Sequence, residues 1–223
     1  MDKNQLISLY RLISELFLHP EDRAADLART GPASLAGMPE TVAAPLQAFF
    51  AAPNSFSTAE YVPTLELAPL VPLYVGAHLY DEPASCRSAG MSDRNGYMLE
   101  LNNIYRHFGV EFEGREMADF VPVVIEFLGL SLEREDRDQI GLRRYLFETK
   151  LFDGFEILLA ALHKCESPYA FLVEALTPAL AIDIQRMSGG PIWRPPTDVG
   201  PELSPPADYG TPDHLVFENG VEQ

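Results

Sequence analysis

Near the start of the chain, Leu6, Leu9, Tyr10, Ile13, Leu16 and Phe17 recur at steps of three and four. That spacing puts them on one helical face, and Pro20 is expected to end the helix. Prolines at 32, 39, 45, 53, 63, 69 and 72 restrict residues 31–72 to short helical pieces, of which 42–51 is the best candidate. Phe56, Tyr61 and Leu65 are expected to anchor the connecting loops. The next predicted helix begins at Leu73 and carries Tyr74, Ala77, His78, Tyr80 and Asp81 up to Pro83, facing the core or a groove.

Ser92 can cap a following helix whose stripe is Tyr97, Leu101, Ile104, Tyr105 and Phe108, with Gly109 as its left-handed stop. Asp119 stands three residues before Pro122, so its carboxylate can accept from free amides of a helix whose first turn tolerates the proline. Val123, Val124, Phe127 and Leu128 form that helix's buried face. Residues 133–150 are rich in charge, yet Ile140, Tyr145, Leu146 and Phe147 suit a helix with one solvated side. Phe155, Leu158, Leu159 and Leu162 give 151–164 an apolar face, and Ser167 followed by Pro168 starts a last helix reaching about Arg186, kinked at Pro178. From Gly189 proline recurs without periodicity. The predicted fold is all-α: a single-domain helical bundle over 1–188, with a Pro/Gly-rich tail over 189–223.

Lys and Arg number 16 against 33 Asp and Glu, a net charge of -17. Such a surface repels a phosphate backbone, so nucleic acid is not an expected partner. It either keeps the chain soluble or attracts cationic peptides. Apolar runs near 121–132 and 151–162 fall short of the roughly 20 residues a bilayer demands and are interrupted by Glu126 and Glu156. Stable membrane insertion is therefore not expected. Arg11, Glu15 and His19 make the opening segment read as a helix rather than a signal peptide. Cys86 and Cys165 lie far apart, which fits a reducing cytoplasm.

Candidate chemistry is sparse. The pairs Glu15 with His19, His78 with Asp81, and His163 with Cys165 make no convincing metal set, and no cofactor is expected. Hydrolase elbows, phosphate-binding glycine loops and dinucleotide turns are not found in the sequence. An enzyme would have to use scattered carboxylates, with Glu100, Glu126 and Glu156 as candidates.

The segment Glu116-Met117-Ala118-Asp119-Phe120, followed by Ile125-Glu126-Phe127, resembles the Glu-x-x-Asp-His turn and helix of the TorD/DmsD/NarJ family of redox-enzyme maturation chaperones. The order of segments is similar over roughly 5–185: an amphipathic helix, a proline-broken stretch, Leu73-Tyr74, the helix NGYMLELNNIYRHFGVEF and then the acidic turn. Among such chaperones it looks most like those serving nitrate, selenate or dimethyl sulfide oxidoreductases. One departure is Phe120, which stands where the family pattern has histidine, so any role needing an imidazole there is lost. Nucleotide binding, suggested for some relatives, is correspondingly weakened.

The resemblance implies a cytoplasmic, non-enzymatic chaperone of TorD-like fold. Its client would be the catalytic subunit of a molybdenum-containing oxidoreductase of the dimethyl sulfoxide reductase type, bound through an N-terminal or twin-arginine leader segment. The molybdenum cofactor would belong to that client. Glu82, Glu116, Asp119 and Glu126 are the candidate carboxylates for client arginines, with Tyr74, Tyr80 and Phe120 as aromatic contacts. The same residues have plainer roles open to them, Asp119 as a helix cap and Tyr74 and Tyr80 as core packing. A monomer is expected because no long heptad seam appears, although relatives include domain-swapped dimers. A generic helical adaptor is the remaining alternative.

Overall fold

The computed structural model describes residues 1–81, 92–112, 116–195 and 213–215, with Phe112 and 213–215 described by their backbone alone. The described chain is mostly helical: α1 (Lys3–Leu16), α2 (Leu27–Ser34), α3 (Glu40–Ala51), α4 (Thr58–Tyr61), α5 (Val75–Leu79), α6 (Asp93–His107), α7 (Val121–Glu133), α8 (Leu142–Leu146), α9 (Phe152–Lys164) and α10 (Ala170–Met187). π-helical turns at Val62–Glu66 and Phe147–Leu151 follow α4 and join α8 to α9. A short ladder pairs β1 (Val110–Phe112) with β2 (Asp213–Leu215).

Asp2 starts α1 with a full capping box, its side chain accepting from the Gln5 amide while the Gln5 side chain accepts from the Asp2 amide. The six apolar residues read from the spacing of α1 are all buried, and they pack mainly on α7. Helix α7 is buried nearly all round: besides the four residues expected, Val121, Ile125 and Leu132 are also covered. Helix α10 lies against α3, α9 and α1. The buried apolar side chains of these elements form one continuous cluster.

Several local expectations are corrected. The helix expected from Leu73 spans only five residues, Val75–Leu79, because Tyr74 is extended and bridges to Phe120. Tyr61 and Leu65 belong to helical turns rather than loops. The single helix expected over 133–150 is broken by a 3-10 turn at Glu135–Arg137, by Gly141 at φ 78° and by the π-turn. The Asp138 carboxylate restarts the helix by accepting from the amides of Leu142 and Arg143 at 2.7 and 3.0 Å.

Nor is the charge run all on the solvated side. Arg143 is 2% exposed, and its guanidinium forks onto the Asp183 carboxylate at 2.9 and 2.5 Å. The remaining donors go to the Ser131 hydroxyl and the Leu128 carbonyl, and the Tyr10 hydroxyl donates to Asp183 at 2.8 Å. This network ties α1, α7, α8 and α10 together. At the other end of the bundle, Arg23 donates to the Leu18 and Ser55 carbonyls and to the Tyr169 hydroxyl. Its guanidinium also lies over the rings of Phe56 and Tyr169 at 5.3 and 5.6 Å.

The last helix ends at Met187, close to where the composition changes, but the chain then returns to the body. The Trp193 amide donates to the Gly141 carbonyl at 3.2 Å, and its ring meets Tyr145 edge-on at 4.8 Å. Further along the Pro/Gly-rich tail, the backbone of Asp213–Leu215 pairs with β1 as β2.

Candidate functional site

The site is built where three chain segments meet. Extended backbone at Tyr74 pairs antiparallel with Phe120: the Val75 amide donates to the Asp119 carbonyl, and the Val121 amide to the Leu73 carbonyl, each at 2.9 Å. The bridge brings the Tyr74 and Phe120 rings to 5.4 Å.

Asp119 fastens the segments together. It does not cap α7, whose N-cap is Phe120 with no side-chain bond. Its Oδ2 instead accepts from the Gly76 amide at 3.0 Å and from Arg94 Nε and Nη2 at 3.1 and 2.9 Å. One carboxylate oxygen thus joins the first turn of α5 to the first turn of α6. Gly76 is required by this approach, since a Cβ there would lie 2.5 Å from Oδ2 and 3.0 Å from Arg94 Nε. Asp119 has no exposed surface, so in this conformation its carboxylate is spent on Gly76 and Arg94 and holds the turn in place. Burial pushes its pKa up, while Arg94 and the Gly76 amide pull it down. Among the described residues, Asp119 Oδ1 and the Tyr97 hydroxyl are both buried without a hydrogen-bond partner.

Around this fixed centre lies an open rim. Glu116 is exposed and accepts from the Tyr74 hydroxyl at 2.5 Å. Arg94 lies 5.6 Å from the Tyr74 ring centroid, which orients the ring between a cation and a carboxylate. Burial and then the bond to Glu116 raise the Tyr74 phenol far above its ordinary pKa, so it stays a donor at physiological pH. Met117, next to Glu116, is 42% exposed. Leu67 and Leu70 are 74% and 69% exposed in the segment leading to Tyr74. Between them Ala68 has a φ of 49°, an unfavourable conformation for a residue with a Cβ.

The structure joins Tyr74, Glu116, Asp119 and Phe120 but separates the other expected site residues from them. Tyr80 caps the far end of α5, with its ring 5.4 Å from Tyr97. It faces a second polar cluster, where Glu100 accepts from the Tyr145 hydroxyl at 2.5 Å and from Lys150 at 2.8 Å. Glu126 is half-buried on α7, where burial raises its pKa and the Arg11 charge on α1 opposes the shift. Glu82 lies outside the described residues. Of the carboxylates considered for acid/base chemistry, Glu156 is exposed rather than buried, and Glu100 is held by Lys150 and Tyr145.

Among the described residues, no group of three or more His, Cys, Asp and Glu is placed to hold a metal ion, and no helix is long and apolar enough to cross a membrane. His78 is tied to the Pro72 carbonyl at 2.8 Å and His163 to Glu174 at 2.7 Å. Sequence reasoning missed Arg94, Gly76 and the exposed leucines. The only available signal for Arg94 was that a buried Asp needs a cation, and for Leu67 and Leu70 it was apolar residues in a proline-bounded stretch without period. No protein-family model matches the chain, and no curated protein matches it in sequence.

Proposed function

We propose that the protein is a cytoplasmic, non-enzymatic assembly chaperone that receives a cationic, partly apolar segment of another polypeptide at the Tyr74–Glu116–Phe120 rim. The observation that carries this reading is the rim itself: an exposed carboxylate and a half-exposed aromatic pair, held by the Asp119–Arg94–Gly76 centre and flanked in the chain by exposed Leu67, Leu70 and Met117. A segment that orders on binding recovers its lost entropy from such apolar anchors, and a carboxylate beside them selects for arginine. The net charge of -17 raises the encounter rate with cationic segments.

The nature of the client follows from the resemblance to the TorD/DmsD/NarJ chaperones. On that reading it is the catalytic subunit of a dimethyl sulfoxide reductase-type molybdoenzyme, bound through its N-terminal or leader segment while its cofactor is inserted. The chaperone acts as a monomer and holds no cofactor of its own. Affinity capture from the native cell, followed by identification of the bound chains, is the test. Recovery of a molybdoenzyme subunit by the wild-type protein, reduced by Glu116→Gln and Tyr74→Ala, is the expected result. Capture of unrelated proteins, unchanged by both substitutions, would refute the reading and leave a generic adaptor.

A further inference from the structure

The β1 strand is short, and β2 is its only named partner among the described residues. Behind it the edge is firm. Val110 is 1% exposed, and Gly109 at φ 71° turns the chain sharply out of α6. Arg134 donates to the Phe108 and Gly109 carbonyls at 2.9 Å, and Arg137 donates to the Phe108 carbonyl at 3.2 Å, which fixes that turn. Ahead of it, residues 113–115 separate β1 from Glu116 of the rim.

The occupant is weakly matched to its place. Pairing is parallel, with Val110 opposite Asp213, Glu111 opposite His214 and Phe112 opposite Leu215. A lone parallel pair of three residues is among the least stable of ladders. Residues 196–223 carry Asp198, Glu202, Asp208, Asp213, Glu218 and Glu222 and no Lys or Arg. In sequence this stretch has the same sign of charge as Glu111, Glu113 and Glu116, and backbone bonds must hold the ladder against that repulsion. An extended segment bearing arginine or lysine would form the same backbone bonds and reverse the sign of the charge interaction.

We infer that β1 is a strand-accepting edge, occupied in cis by residues 213–215 and taken over by an extended, cationic segment of a client polypeptide. This rests on the client-binding reading and adds a mode to it: strand addition beside the aromatic and acidic rim, with the chain's own end as a competitor. The ladder makes the binding-competent state a fraction of the population, so releasing it raises apparent affinity.

The test uses the full chain and a His214→Pro/Leu215→Pro variant, which removes a ladder donor whichever of the two residues faces β1. Amide hydrogen exchange at Val110, Glu111 and Phe112 reports occupancy of the edge without any client. Protection there in the wild type, at least about 10-fold faster exchange in the variant, and renewed protection on adding a peptide of alternating Val, Arg and Thr are expected. The variant should bind that peptide about 5- to 10-fold more tightly than the wild type, and a version with Glu for Arg should not bind. Unchanged exchange at all three amides together with equal peptide affinity would overturn the inference. Because capture of a cellular client is read separately, the chaperone reading can stand when the edge fails, and the edge can stand when no molybdoenzyme subunit is recovered.

Discussion

Replacing Asp183 tests the reasoning about the interior most directly. The carboxylate is fully buried and takes both forks of the Arg143 guanidinium and the Tyr10 hydroxyl. Asp183→Ala leaves a cation that is 2% exposed with, among the described residues, only the Ser131 hydroxyl and the Leu128 carbonyl as oxygen acceptors. An uncompensated buried charge of this kind costs about 3–5 kcal/mol, a large share of the roughly 5–15 kcal/mol that holds a domain together. Arg143→Met should cost a similar amount by stranding Asp183. Arg143→Met combined with Asp183→Leu removes both charges and both desolvation penalties, so the double variant should lose far less than the sum of the singles, chiefly about 1–3 kcal/mol from leaving the buried Tyr10 hydroxyl without its acceptor. Urea unfolding followed by circular dichroism reads these differences, provided the slope is unchanged. Single variants that each cost under about 1 kcal/mol, or a double variant showing the plain sum of two large losses, would refute the account.

Asp119→Asn should destabilise the fold by about 1–3 kcal/mol, measured by the same unfolding assay, because it weakens the charge-assisted bonds to Arg94 rather than preserving a helix cap. Gly76→Ala should cost about 1–3 kcal/mol by forcing a methyl group against Asp119 and Arg94, and should lower binding of cationic peptides because the rim loses its support. For Glu126, burial raises the folded-state pKa above the unfolded value of 4.5. The native state therefore binds the extra proton, and this group's stabilising contribution, present below that value, is lost as pH rises through the folded pKa. Glu126→Gln should remove that decline in thermal melts between pH 4 and 7, and an unchanged slope would count against it.

The long helices were legible because their periodicity and their burial have the same cause. Each of α1 and α6 shows one apolar stripe, and that stripe is what packs, while α7 is apolar and buried nearly all round. Residues 133–150 were misread for the opposite reason: Arg143 looks solvent-facing when counted as a charge, and its partner Asp183 stands forty residues away. The candidate site divides in the same way. Glu116, Asp119 and Phe120 were visible as a local motif, but the capping geometry was not, since Asp119 reaches across to Gly76 and Arg94 instead of along its own helix. Tyr80 and Tyr74 share a short segment in sequence, yet α5 carries them to opposite ends of a helix.

Arg23 has no carboxylate partner among the described residues; its charge rests on carbonyls, a hydroxyl and two ring faces, none of which gains a proton in mild acid. Acidification that discharges Asp119, whose pKa burial pushes up, would dissolve the bonds Arg94 makes to it while sparing this one. Loss of structure would then be polarised. The cluster of Phe17, Phe49, Tyr61 and Tyr169 would persist as a compact remnant after the joint between Asp119, Arg94 and Gly76 had already come apart.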